Sequence, residues 1–353
     1  MSFQQGLSGL NAAARNLDVI GNNVANANTV GFKGSVAQFA DLYANSLQGA
    51  GAGQVGIGVK VADIAQQFTQ GNITNTNNPL DVAINGSGFF RLNANGETVF
   101  SRNGQFKVDK DGFLINTSGY RVTGYEADAT GVLNTASATD LRINAGDLTP
   151  RTTSGVDATL NLDSRDAVNA TPFNINDPTT FTDSTSLAVY DSLGNPHTLS
   201  MYFTKTASNT WRINAALDGA QIGAGPVGTA TFRSDGSLDT TATPVPLNIS
   251  VALSNGAASP LTIAVDLSET TQFGSAFGVN ALSQDGYASG RLAGFSITGD
   301  GVIQGNYTNG ESAVLGQIAL ANFANPQGLT SLGDNTWRQT SESGAPLVGG
   351  PGT

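Results

Sequence analysis

The sequence predicts a mainly β protein, with an N-terminal α-helix followed by two all-β domains, the second inserted in the first. Three observations lead there. Residues 2–39 carry apolar side chains at seven-residue spacing, the mark of a helix with one apolar stripe. From residue 55 onward, short alternating runs are separated by tight-turn dipeptides, the pattern of β-meanders. Residues 146–274 hold 5 Lys+Arg and 12 Asp+Glu, against 11 and 15 in the remainder. That shift in charge sets the middle block apart.

In the helix, Phe3, Leu10, Leu17 and Val24 form one row, and Gly6, Ala13, Ile20 and Ala27 form a second row offset by three. Leu7 and Ala14 widen the stripe. Ser2 is placed to cap the N-terminus. Gly6, Ala13 and Ala27 bury little area, so the helix is marginal alone and needs a partner. Four Asn between Asn22 and Asn28 end it, because Asn favours caps and turns over helix interiors. Gly31 is free to take a positive φ.

The organisation that follows is a helix over 1–30 and an extended linker over 31–71. A first β-domain is built from 72–145 and 275–345, an inserted β-domain from 146–274, and 346–353 forms a tail. The linker holds a glycine-rich loop over 41–53 and an alternating strand with Val55, Ile57, Val59 and Val61. In the first β-domain the runs FFRL, TVFS, GQFKV, GFLI and YRVTGY are punctuated by Asn95-Gly96, Asn103-Gly104 and Asp111-Gly112, good tight-turn pairs. The layouts Phe106…Asp111-Gly112 and Phe295…Asp300-Gly301 read as comparable hairpins. In the insert, strands are expected at Ala158–Leu162, Leu187–Tyr190, Thr198–Phe203, Trp211–Leu217, Leu247–Leu253 and Leu261–Leu267.

Composition excludes several functions. A net charge of −11 argues against nucleic acid as a partner. No cysteine is present, so neither a disulfide nor a thiolate metal site is available. No run approaches the about 18 apolar residues of a membrane span, and no basic-then-apolar leader opens the chain.

The reactive residue types are better explained as structure. His197 is the single histidine, and Asp191, Ser192 and His197 lie in one Gly/Pro turn, so they read as turn chemistry rather than a hydrolytic triad. Asp109-Lys110-Asp111-Gly112 lacks the further ligands of a calcium loop, and Gly86-Ser87-Gly88 lacks the third glycine and the helix of a dinucleotide site. Asn72-Ile73-Thr74 and Asn169-Ala170-Thr171 are chance acceptor triplets in an Asn/Thr-rich chain. No catalytic, cofactor or metal site is expected.

The stretch after the helix resembles the N-terminal signature of the bacterial flagellar rod and hook proteins. The pattern LxxIxNNxANxxTxGFK is matched at Leu17, Ile20, Asn22, Asn23, Ala25, Asn26, Thr29, Gly31, Phe32 and Lys33. Leu80–Phe90 resembles the LDxAIxGxGFF segment of the same family, and Gln317–Leu329 resembles it near the C-terminal end. Val189–Leu199 resembles a segment of hook subunits, whereas rod subunits generally lack the inserted domain. The resemblance implies a structural subunit that polymerises with itself into a hollow, bendable tube and transmits torque as a universal joint. It implies inner helices, outer β-domains and a further C-terminal helix, a segment not found up to Thr353. Phe3, Leu7, Leu10, Leu17, Ile20 and Val24 are then the assembly residues, and Asn22, Asn23, Asn26, Thr29, Gly31, Phe32 and Lys33 shape the turn. Implied partners are the other axial proteins (rod, hook cap and hook–filament junction) and the export apparatus, with export occurring without a cleaved signal. Competing readings are a distal rod subunit and, in another class, an extracellular glycan-binding β-protein.

Overall fold

The computed structural model describes residues 2–42, 56–128, 130–144 and 146–352. Most of the predicted glycine-rich loop, Val55 and the Ser2 side chain lie outside the described residues. The chain divides into two compact units, one of residues 1–145, 293–306 and 312–353, the other of residues 146–292 and 307–311.

The first unit opens with α1 (Ser2–Ala25). Its end is built as the asparagines require. Asn26 N–H donates to Asn22 O at 3.1 Å, Thr29 N–H to Asn26 O at 2.9 Å and Phe32 N–H to Thr29 O at 3.2 Å. Side chains repeat the ladder, with Asn26 Nδ2 donating to Asn22 Oδ1 at 3.1 Å and Thr29 Oγ1 to Asn26 Oδ1 at 3.2 Å. Gly31 then turns the chain at φ +77°, and a Cβ there would lie 2.6 Å from the Asn103 backbone nitrogen. Both the dihedral and the close approach demand glycine.

The expected linker over 31–71 is instead largely a hairpin. β1 (Ser35–Leu42) pairs antiparallel with β2 (Gly58–Gln66), with a bulge at Gln38/Phe39. A two-stranded hairpin is marginal in water, and this one is held by α1 on one side and the β-body on the other. Asn23 grips β1 with both ends of its amide. Its Nδ2 donates to Ser35 O at 2.8 Å, and Ser35 N–H donates to its Oδ1 at 2.9 Å. At the far end of β2, Trp337 Nε1 donates to Gln66 Oε1 at 2.7 Å, and Phe68 stands edge-on to Phe89 at 5.3 Å and to Trp337 at 5.6 Å.

The β-body of this unit is a large, mainly antiparallel sheet. Its main path runs Leu292–Ile297, Val302–Tyr307, Ser312–Ile318, Arg121–Glu126, Phe89–Ala94, Glu97–Ser101, Thr336–Arg338 and Thr330–Gly333. Phe89, Phe100, Phe323, Leu329 and Trp337 form a buried aromatic cluster. Asn95 at φ 56° and Gly96 at φ 101° close the hairpin between Phe89–Ala94 and Glu97–Ser101, as the dipeptide predicts. Asn103-Gly104 is not such a turn. Gly104 O accepts from Val82 N–H at 2.9 Å, and a Cβ on Gly104 would collide with Val82 O, so this glycine serves a close backbone approach. The two comparable hairpins share one bonding pattern. Gly112 N–H donates to Asp109 O and Asp109 N–H to Phe113 O, while Gly301 N–H donates to Thr298 O and Thr298 N–H to Val302 O.

Two expected boundaries move. The tail contributes a strand, Leu347–Gly349, which pairs with Leu320–Asn322 and so joins the sheet. Residues 275–292 belong to the second unit, because Gly278–Gln284 pairs antiparallel with Gly155–Asp163.

The second unit is two five-stranded sheets around one apolar core. One runs Asp183–Tyr190, Pro196–Ala207, Thr210–Leu217 and Ala220–Gln221, with Gly228–Thr231 beside Thr210–Leu217. In the other, Gly155–Asp163 pairs in parallel with Leu261–Asp266 and Thr271–Phe273. Alternate apolar positions fill the core. Val156, Ala158, Leu160 and Leu162 are buried from one sheet, and Leu199, Met201 and Phe203 from the other. The buried Trp211 satisfies its indole N–H on Gln272 Oε1 at 2.6 Å.

The turn at Asp191 is the electrostatic knot of this unit. The fully buried Asp191 carboxylate accepts from Leu193 N–H and Asn195 N–H at 2.9 Å each and from Asn255 Nδ2 at 2.6 Å. Burial pushes its pKa up, but the bonds from Asn195, Asn255 and His197 outweigh burial and hold it far below the usual carboxylate range. His197 bridges two carboxylates, with Nδ1 2.6 Å from Asp218 and Nε2 3.3 Å from Asp191. With an acceptor on each side, both ring nitrogens donate and the imidazolium is favoured. Its pKa is raised, first by the bond to Asp218, against the opposing effect of burial.

Two outcomes follow from these contacts. Asn23→Ala leaves the Ser35 N–H without its acceptor, a loss of about 1–3 kcal/mol. Hydrogen exchange at the Ser35 amide is expected to accelerate about tenfold or more, and an unchanged rate would refute the tether. His197 has a folded pKa above its ordinary 6.5. Its contribution is therefore complete below that value and is lost as pH rises through the folded pKa. The stability gap between wild type and His197→Gln in urea should be widest on the acid side of neutrality and narrow toward alkaline pH; a gap independent of pH would contradict it.

Candidate assembly surface

α1 sits on its hairpin by the face that hydrophobic counting ignores. Gln5, Ser8, Ala12, Val19 and Asn23 are the partly or fully buried positions along it, spaced three, four, seven and four apart. Gln5 Nε2 donates to Gly56 O at 2.7 Å, and Val59 N–H donates to Ser8 Oγ at 3.3 Å. With Asn23 on Ser35, hydrogen bonds to hairpin backbone secure both ends of the helix. Val19 is the one buried apolar side chain between them.

The apolar stripe is left in water. Phe3 is 83% exposed, Leu10 69%, Leu17 67% and Val24 70%, with Leu7 and Ile20 about half exposed. All six predicted assembly residues therefore lie on one uncovered helical face. Burying such a side chain fully contributes about 1.5–3 kcal/mol, so the face carries a large unspent driving force for association. The only charged residues of α1 are Arg15 and Asp18, which pair with each other at 3.6 Å while both remain exposed. Val36, Phe39 and Ile64 of the hairpin are also exposed.

The turn residues do different work. Asn22, Asn26 and Thr29 hold the turn, Asn23 ties it to β1 and Gly31 lets it pack on Asn103. Asn335 Nδ2 adds a bond to Val30 O at 2.9 Å. Lys33 is buried, and its ammonium donates to Thr69 O at 2.6 Å. Burial first, and repulsion from Arg102 second, lower its pKa. Phe32 is partly buried beside it.

Gln5, Ser8 and Val19 are the positions that sequence reasoning overlooked. The signal was present, since a second heptad-spaced row of small and polar residues runs along the opposite face. It becomes meaningful only once a strand with unpaired N–H and C=O groups is known to lie against it. The other chemistry resolves into structure. Asp109 Oδ1 accepts from Asp111 N–H at 2.9 Å and Phe113 N–H at 2.8 Å, closing a turn. Among the described residues no group of three or more His, Cys, Asp or Glu is arranged to hold a metal ion.

Three family models match parts of the chain. Residues 3–33 match the flagella basal body rod protein family, residues 83–177 the flagellar hook protein FlgE/F/G D1 domain, and residues 161–287 the flagellar basal body protein FlaE D2 domain. The flagellar hook protein FlgE of Salmonella typhimurium is 42% identical over 360 residues, covering 100% of this chain and 87% of that protein. The Escherichia coli protein of the same name is 43% identical with the same coverage, and that of Treponema pallidum is 35% identical over 97% of this chain and 86% of its own. The crystal structure of Helicobacter pylori flagellar hook protein FlgE2 shares the fold, with a TM-score of 0.57 at 16% identity over 77% of this chain and 95% of that one. The uncovered helical stripe, the two β-units and these full-length matches agree, and the chain belongs to the flagellar hook protein family.

Proposed function

We propose that this chain is a structural subunit of the flagellar hook, polymerising with copies of itself through α1 into a hollow, bendable tube that joins rod to filament and transmits torque. The observation that carries this reading is the orientation of α1. Its polar row is spent on the subunit's own hairpin, and its apolar row is free for another helix. In this reading Phe3, Leu7, Leu10, Leu17, Ile20 and Val24 form the inner contacts, and Asn22, Asn23, Asn26, Thr29, Gly31, Phe32 and Lys33 set the angle at which the helix leaves the β-body. Rod, hook-cap and hook–filament junction proteins are the neighbours along the axis, and the export apparatus delivers the subunit without a cleaved signal.

Bending requires contacts that re-form. The helical seam supplies non-directional apolar adhesion. The β-units, in a chain rich in Asn, Ser and Thr and only 12% charged, supply wet contacts whose bridging waters rearrange at little cost.

The double substitution Leu10→Asp and Leu17→Asp places two carboxylates in the seam. Sedimentation and negative-stain electron microscopy should show loss of polymer, while tryptophan fluorescence from Trp211 and Trp337 reports both β-units still folded. Polymers of normal length from this variant would overturn the assignment of the helix.

A further inference from the structure

Asparagine followed by glycine is open to a spontaneous reaction, because no side chain on the second residue shields its backbone nitrogen. The chain has five such pairs, at Asn85, Asn95, Asn103, Asn255 and Asn309. The reaction needs two free groups. The glycine nitrogen must give up its proton and attack the asparagine Cγ, so a hydrogen bond from that N–H restrains it. The carboxamide must swing onto the nitrogen, so hydrogen bonds to its own two ends restrain it as well.

The fold restrains four of the five. Asn255 Nδ2 donates to Asp191 Oδ2 at 2.6 Å, and its Oδ1 accepts from Ala257 N–H at 3.1 Å. Asn309 is held in the same way, by Ala288 O at 2.8 Å and Glu311 N–H at 3.1 Å. Asn103 Oδ1 accepts from Gln105 N–H at 3.0 Å, and Gly104 is buried against Val82. At Asn95 the nucleophile is engaged, since Gly96 N–H donates to Asn93 Oδ1 at 2.7 Å. Asn85 differs from all of these. It is exposed in irregular chain, and its carboxamide makes no hydrogen bond among the described residues. Gly86 N–H is held only at 3.2 Å, by Oε1 of the exposed Gln70. A Cβ on Gly86 would meet nothing within 4 Å, so a ring has room to close.

We infer that Asn85 is a site of spontaneous modification, passing through a succinimide to isoaspartate and aspartate. Gly86 N forms a bond to Asn85 Cγ, the Cγ–Nδ2 bond breaks, and ammonia leaves with the proton given up by Gly86 N–H. Water then opens the ring. Attack at the backbone carbonyl routes the main chain through the former side chain, as isoaspartate, and attack at Cγ gives aspartate. Either product carries a carboxylate where asparagine was neutral. Isoaspartate also inserts a backbone atom next to Gly86, whose carbonyl accepts from Arg102 Nη1 at 2.8 Å, so the bond tying this loop to the end of Glu97–Ser101 is the one disturbed. Loss of ammonia makes the change one-way, and it accumulates with the age of the subunit.

The test incubates the full chain at mildly alkaline pH, where the glycine nitrogen gives up its proton more readily, and samples it over time. Trypsin cuts after Lys and Arg and places the five pairs on five separate peptides. Tandem mass spectrometry then measures deamidation at each, and labelling by an isoaspartyl methyltransferase reports isoaspartate. Asn85 is expected to react ahead of Asn95 and about tenfold or more faster than Asn103, Asn255 and Asn309, the scale of one hydrogen bond. In denaturing urea the five should react at similar rates, since each then presents both groups free. A native chain in which Asn85 reacts no faster than Asn255 and Asn309 would overturn the site. The same ranking kept in urea would overturn its structural cause.

Discussion

An apolar helical face held in water is a free-energy cost that this subunit does not discharge by itself. Everything around α1 preserves that condition. A helix free to roll would bury Leu10 and Leu17 against its own hairpin and expose Gln5 and Ser8 instead. It is prevented from rolling because Gln5, Ser8 and Asn23 make directional hydrogen bonds to the segment before β2, to β2 and to β1, respectively. Rotating the helix would break those bonds and strand backbone groups. The polar contacts are modest in energy and decisive in geometry, and they fix which face remains open.

The same division between adhesion and geometry recurs where the hairpin meets the β-body. Phe68, Phe89 and Trp337 form a ring of edge-on contacts at 5.3–5.7 Å, which supplies burial. The bond from Trp337 to Gln66 and the glycine packing at Gly31 then set the register. Trp337, and Asn335 with its bond to Val30 O, both come from the C-terminal part of the unit, far from α1 in sequence. The helix and hairpin at one end of the chain are thus positioned by residues from the other.

What could be read beforehand follows from how local each cause is. The apolar rows, the helix end at the asparagines and the insert strands such as Thr198–Phe203 depend on periodicity within a few residues, and they are found close to where the pattern puts them. β1 was hidden because its alternation is weak and its partner lies across the glycine-rich stretch. Gly104 looks like a turn residue until Val82 is seen against it. The tail strand Leu347–Gly349 is short, and only its pairing with Leu320–Asn322 makes it a strand. Gly278–Gln284 was assigned to the wrong unit because nothing local marks Gly155–Asp163 as its partner. At the proposed assembly surface the exposed residues were legible, whereas the row that orients them was not, since Gln5, Ser8 and Asn23 act through a distant backbone.

The acidic excess also acquires a different meaning in three dimensions. Several aspartates are consumed by their own turns. Asp128 accepts from the backbone and hydroxyl of Thr130, Asp177 from those of Thr179, Asp235 from those of Ser237 and Asp239 from those of Thr241. The hydroxyl bond is the foremost cause lowering each pKa. Such a carboxylate stabilises a turn whether or not any cation is near. Much of the net charge is therefore a by-product of building many tight turns, and it keeps the β-surfaces hydrated without committing them to a basic partner.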